Sequence, residues 1–148
     1  MVAKSCVGTV GEPFEMHVEL GKIDEFARAT LAVHDAYLAG SVVPPTFLTT
    51  DFFWKKRHPG SDAWEAVQMS EERGMHAEQE YVFHGPPPKA GDVLIGTCRI
   101  SDVTEKISRA GDRLEFVTMV TEYRNKATGA LVAESILTGV ERWAAGEA

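Results

Sequence analysis

Five histidines, two cysteines and one proline-led apolar segment are the parts of this chain whose types and spacing bear on chemistry. Val42-Val43-Pro44-Pro45-Thr46-Phe47, running on through Leu48 to Trp54, predicts a buried helix. Proline lacks an N–H and fits the first helical position, so the helix should start at Pro45. Thr46 and Phe47 would then offer backbone N–H groups at the positive end of the helix dipole. Such an end suits an oxyanion or a thioester carbonyl; it is equally what a core helix with a Pro-Pro start looks like. The histidines say less. His17 falls on the polar face of an alternating segment and His58 in a polar run, which reads as solvation. His76 and His84 flank one predicted strand and share a face, a structural placement beside Glu78. No His/Cys/Asp/Glu set has metal-ligand spacing and no glycine-rich phosphate loop exists. Ser5, Ser41 and Ser70 lack a nucleophile-elbow context.

The elements that must position these residues follow from periodicity. A chain of 148 residues, 44% hydrophobic and 25% charged, reads as one domain with a full core. Residues 1–13 read as a short leader without a signal peptide. Phe14, Met16, Val18 and Leu20 alternate as a half-buried strand, and Ile23, Phe26, Ala27, Thr30 and Leu31 form one helical stripe. A second short helix ends at Gly40, and the Pro-Pro helix runs to about Trp54. Residues 55–74 are polar and turn-rich. They read as a surface excursion in which Trp64, Val67 and Met69 pack on something, either as a lid or as a family-specific insertion. From Met75 onward the pattern is β: His76 to His84, Val93 to Val103, Leu114 to Tyr123 and Leu131 to Trp143, with hairpin turns at 109–112 and 125–129. Residues 144–148 read as a frayed tail. An α+β fold follows, a curved antiparallel sheet wrapped around a central helix.

Composition also excludes classes. The net charge is -7 and the longest basic cluster is Lys55-Lys56-Arg57, which argues against nucleic acid as a partner. No apolar run approaches membrane-spanning length. Cys6 and Cys98 lack CxxC spacing and read as reduced thiols of a cytoplasmic protein.

Several of these segments, in this order, resemble the MaoC-like dehydratase N-terminal domain. They are Phe26-Ala27-Arg28-Ala29, Val42 to Phe47, His76-Ala77-Glu78-Gln79-Glu80-Tyr81 with His84, Ala90-Gly91-Asp92, and Thr121-Glu122 through Asn125 to Thr128-Gly129-Ala130-Leu131-Val132-Ala133. The resemblance spans roughly residues 10–142. It implies a hot-dog fold and an R-specific enoyl-thioester hydratase, or the reverse 3-hydroxyacyl dehydratase. The substrate would be an acyl thioester of coenzyme A or a carrier protein, with no cofactor.

Adding water to an enoyl thioester needs a base at C3, an acid at C2 and donors for the enolate oxygen. Active relatives take acid and base from a Gly-Asp-x-Asn-Pro-x-His loop after the first helix. Between Ala29 and Gly40 this chain has no such loop. His34 and Asp35 are the one acid–base pair left, and as helix neighbours they point apart. By the same resemblance, Pro45, Thr46 and Phe47 would hold the thioester, and Phe47, Phe52 and Phe53 would line the acyl tail. The missing loop favours a subunit that shapes the acyl site in a heterodimer with a catalytic MaoC-like partner. A self-sufficient hydratase using His34 and Asp35, as a homodimer, is the alternative. A hot-dog thioesterase or acyl-binding protein is a third.

Overall fold

The computed structural model describes residues 2–146, so Met1 and residues 147–148 of the expected leader and tail lie outside the described residues. Five strands form one antiparallel sheet. They are β1 (Phe14–His17), β2 (Gly74–Phe83), β3 (Val93–Ile107), β4 (Arg113–Asn125) and β5 (Leu131–Trp143), in the order β1-β3-β4-β5-β2. The three long strands follow from hairpin chemistry. The Asn125 side chain accepts from the Ala127 and Thr128 N–H groups, and Gly129 takes a φ of 72° that a side chain would resist. Gly111, at φ 89°, closes the β3–β4 turn in the same way. Register shifts at Ile100/Asp102 in β3 and His76/Glu78 in β2 mark bulges, which bend strands and increase their twist.

Helix α1 (Leu20–Ala29) buries Ile23 and Ala27 along the predicted stripe. It starts at Leu20, which the alternation had placed in the preceding strand; a leucine there fits both periods. It stops at Ala29 because Leu31 turns left-handed at φ 57°. Helix α2 (Asp35–Leu38) is a single turn, followed by Gly40 at φ 68°. A Cβ on Gly40 would lie 2.7 Å from both Ala90 and Leu20, so only glycine fits this junction. The loop after β2 then holds the chain: the Val43 N–H donates to Pro88 O, and the Ala90 N–H to Gly40 O.

The Pro-Pro segment departs from expectation. No α-helix begins at Pro45. The Phe47 N–H donates to Pro44 O at 2.9 Å, so Pro45 sits inside a four-residue β-turn, and Thr46 becomes the cap of a 3-10 helix over Phe47–Phe53. Thr50 reinforces the tighter coil by donating its hydroxyl to Phe47 O at 2.9 Å. With about three residues per turn, Phe47 and Thr50 face inward, as do Leu48 and Asp51, while Phe52 faces out.

The core has two parts. Phe47 and Leu48 meet Phe14, Met16, Leu94 and Tyr123 in the first. The second joins Val2 and Cys6 to Ala63, Val67, Cys98 and Ile100. The leader is therefore fixed, with the Gly8 N–H donating to Ile100 O and the Val2 N–H to the buried Glu115 carboxylate. The 55–74 excursion is fixed as well. A 3-10 helix at Ala63–Val67 starts on a reciprocal Asp62–Glu65 capping box and buries Val67 completely. Among the described residues, no helix is long and apolar enough to cross a membrane.

Candidate functional site

The Phe47–Phe53 helix crosses the inner face of the sheet and leaves a cleft below it. One limb, of about 210 Å³, is bordered by Leu48, Thr49 and Asp51 above and by Gln79, Tyr81 and Ser135 below. A second limb, of about 460 Å³, runs under the excursion between Trp64, Met69 and Met75 and the β5 residues Leu137 and Gly139. Lys55, His76, Met119 and Leu137 border both limbs, so the two spaces adjoin.

A charged network sits where they meet. The Tyr123 hydroxyl donates to Asp51 Oδ2 at 2.7 Å, and Lys55 Nζ stands 3.4 Å from the same oxygen. Lys55 also reaches Asp62 at 3.9 Å, and Asp62 accepts from the Trp64 N–H and lies 3.8 Å from the Cys98 thiol. Burial pushes the Asp51 carboxyl above its ordinary range, and the Asp62 charge adds to this; Lys55 and Tyr123 pull it back less strongly. Burial, and then the Asp51 charge, hold the Tyr123 hydroxyl well above the usual phenol value. Burial also raises Cys98, whose thiol is thus a packing group and not a nucleophile.

The sequence-derived residues fall elsewhere. His34 and Asp35 are both exposed. His34 caps α2: its Nδ1 accepts from the Ala36 N–H at 3.2 Å, and its ring packs beside Tyr37. No described hydrogen bond joins it to Asp35. Neither residue borders the cleft. Pro45 and Thr46 are exposed at the start of the 3-10 helix, and the Phe47 N–H expected as a donor there is already bonded. The Phe47 side chain is fully enclosed and packs edge-on against Phe26 at 5.7 Å, so it is a core residue with no surface for a ligand. Phe52 and Phe53 are 50% and 53% exposed, stack at 4.2 Å with Lys22 over the Phe53 ring, and do not border the cleft. Among the described residues, no group of three or more His, Cys, Asp or Glu is placed to hold a metal ion.

Sequence reasoning missed Asp51, Lys55, Tyr81 and Tyr123. One signal was present: Asp51 is an ionisable residue inside an apolar run, and such a residue is buried only with partners. Its main partner lies 72 positions away, on an inward position of β4.

Comparison with known proteins supplies the family context. The family model described as "FAS1-like, dehydratase domain region" matches residues 5–135. No curated protein matches the sequence. Solved structures do. The C-terminally truncated HadBC (3R-hydroxyacyl-ACP dehydratase) complex of Mycobacterium tuberculosis is similar over 91% of this chain and 96% of the matched chain, with 25% identity and a TM-score of 0.66. The ChsH1–ChsH2 complex of the same organism matches 93% of this chain and 85% of its own, with 15% identity and a TM-score of 0.65. A MaoC-like dehydratase from Rhodospirillum rubrum covers 91% of each chain, with 17% identity and a TM-score of 0.59.

Proposed function

Because the chain belongs to the FAS1-like dehydratase domain family and has the hot-dog fold of MaoC-like dehydratases, we propose that it is the acyl-site subunit of an enoyl-thioester hydratase, or equally of a 3-hydroxyacyl-thioester dehydratase. A MaoC-like partner bearing the complete Gly-Asp-x-Asn-Pro-x-His loop supplies the acid and base. The observation that carries this reading is the state of His34 and Asp35. One ring nitrogen of His34 is occupied in capping a helix, both side chains face solvent, and the cleft that could hold a substrate lies elsewhere. General acid–base catalysis needs its groups within hydrogen-bond reach of one substrate atom, directly or through one water. The engagement of His34 in its own helix cap weighs against that role, whereas the cleft offers apolar walls for an acyl tail.

Assembly supports the same reading. Strand β2 is an edge strand of ten residues, exposed from Met75 to Glu78. A long bare edge is a liability that pairing with a second sheet removes. A second hot dog joined there would bring its own acid–base loop to the thioester, with the pantetheine arm of coenzyme A or a carrier protein between the subunits. The HadBC and ChsH1–ChsH2 structures are themselves complexes. The test is to mix the purified chain with a MaoC-like protein that carries the full loop and follow hydration of crotonyl-CoA. Turnover by the chain alone would favour a self-sufficient hydratase. Release of free thiol from a saturated acyl-CoA would favour a thioesterase.

A further inference from the structure

The two limbs of the cleft differ in chemistry, and the difference specifies an occupant. The outer limb is open and apolar. Gly139 makes its floor, because a Cβ there would stand 2.7 Å from the Trp64 ring, so the indole lies directly on the β5 backbone. Met69, Met75 and Met119 line the same space with unbranched, adaptable side chains. The inner limb is narrower and polar. Both described contacts of the Asp51 carboxylate go to Oδ2, which leaves Oδ1 for a ligand's donor. Lys55 stands beside it as a donor, and Thr121 is buried at the same wall.

We propose that this cleft binds an acyl chain whose inner end carries a hydroxyl or keto group, and that the 55–74 excursion is its wall. The proposal rests on the reading of this chain as an acyl-site subunit and names the acyl group it takes. A plain methyl end would strip water from Asp51 and Thr121 and return no hydrogen bond, which is costly for groups this buried. A hydroxyl replaces that water: it donates to Asp51 Oδ1 and accepts from Lys55. A keto oxygen makes only the second bond. A carboxylate end is disfavoured, because Asp51 and Asp62 set two negative charges against the one ammonium of Lys55.

The test is calorimetric titration of the full chain with butyryl-CoA, dodecanoyl-CoA and its ω-hydroxy, (ω-1)-keto and ω-carboxy derivatives. Affinity should rise with chain length, rise again by roughly tenfold for the ω-hydroxy end, and fall below the methyl-ended value for the ω-carboxy end. The (ω-1)-keto chain should fall between the methyl and hydroxyl ends. Asp51→Asn should narrow the gap between hydroxyl- and methyl-ended binding, because the charged acceptor is lost and a neutral amide is cheaper to desolvate. Met69→Trp, which fills the outer limb, should abolish the dependence on chain length. Ser70→Trp, at the rim, does the same job if the first variant fails to fold. Affinity that is flat with chain length, or a methyl end that binds as tightly as the hydroxyl, overturns the proposal. Crotonyl-CoA turnover by the two-subunit mixture separates the two readings, since a four-carbon acyl group does not need the inner limb. Turnover without the hydroxyl preference sinks the cleft assignment alone. The preference without turnover sinks the subunit role alone.

Discussion

Replacing Tyr123 by Phe removes one hydroxyl and little else. The ring is fully buried and keeps its edge-on contact with Phe14 at 6.4 Å, so no large cavity opens. What disappears is the 2.7 Å hydrogen bond to Asp51 Oδ2, which leaves Lys55, at 3.4 Å, as that oxygen's remaining partner. Hydrogen bonds to charged groups contribute about 1.5–3 kcal/mol, and a buried acceptor left short of a partner keeps its desolvation cost, so a loss of about 2 kcal/mol is expected. With a urea slope of about 2 kcal/mol/M, the unfolding midpoint should drop by about 1 M with the slope unchanged. Protomer concentration must be held constant, because assembly stabilises the folded state by mass action. If the carboxylate is the partner that matters, Tyr123→Phe should cost markedly less in an Asp51→Asn background, with a coupling of about 1 kcal/mol. A midpoint shift below about 0.2 M, or additive single effects, would refute the assignment of this pair as a buried, interdependent unit.

Asp51 also predicts a pH dependence. Its folded-state pKa is raised by burial, so the folded chain holds the proton more tightly and stability is lost as pH climbs from the ordinary carboxylate range through the raised value. The stability of the native chain relative to Asp51→Asn should therefore fall across that window and then level off, as denaturation at a series of pH values would show. Gly96→Ala should destabilise by about 2 kcal/mol or more, since its Cβ would land 2.2 Å from the Phe14 ring on the strand paired opposite; thermal unfolding reads this directly. His34→Ala removes the cap of α2 and should cost about 1 kcal/mol, while leaving the kcat/KM of the two-subunit mixture unchanged in a steady-state assay.

Much of this fold was legible because its signals are local. The long strands were readable from their β-branched and aromatic content and from the turns between them, and the buried residues of β4 alternate over Glu115, Val117 and Met119. The turn at Asn125 to Gly129 was readable from side-chain chemistry alone. The Pro44–Pro45 segment was misread as the start of an α-helix because its outcome depends on the next turn. A proline pair followed by Thr49 and Thr50 supports three-residue coiling once Phe47 and Leu48 are drawn into the core. The leader and the excursion looked peripheral because each carries few apolar residues. Together, Val2, Cys6, Ala63 and Val67 complete a core that neither segment could bury alone. The cleft was hidden for the same reason: Asp51, Tyr123 and Ser135 come from three separated segments, and no spacing rule links them.

The most direct measurement is the loss of enoyl absorbance from crotonyl-CoA with the chain alone, with a MaoC-like partner carrying the full acid–base loop, and with the two combined. The chain alone should be silent. The combination should exceed the partner alone, and it should keep its rate when His34 and Asp35 are both replaced by alanine. Turnover by the chain alone that disappears in that double variant would contradict the assignment and return catalysis to His34 and Asp35.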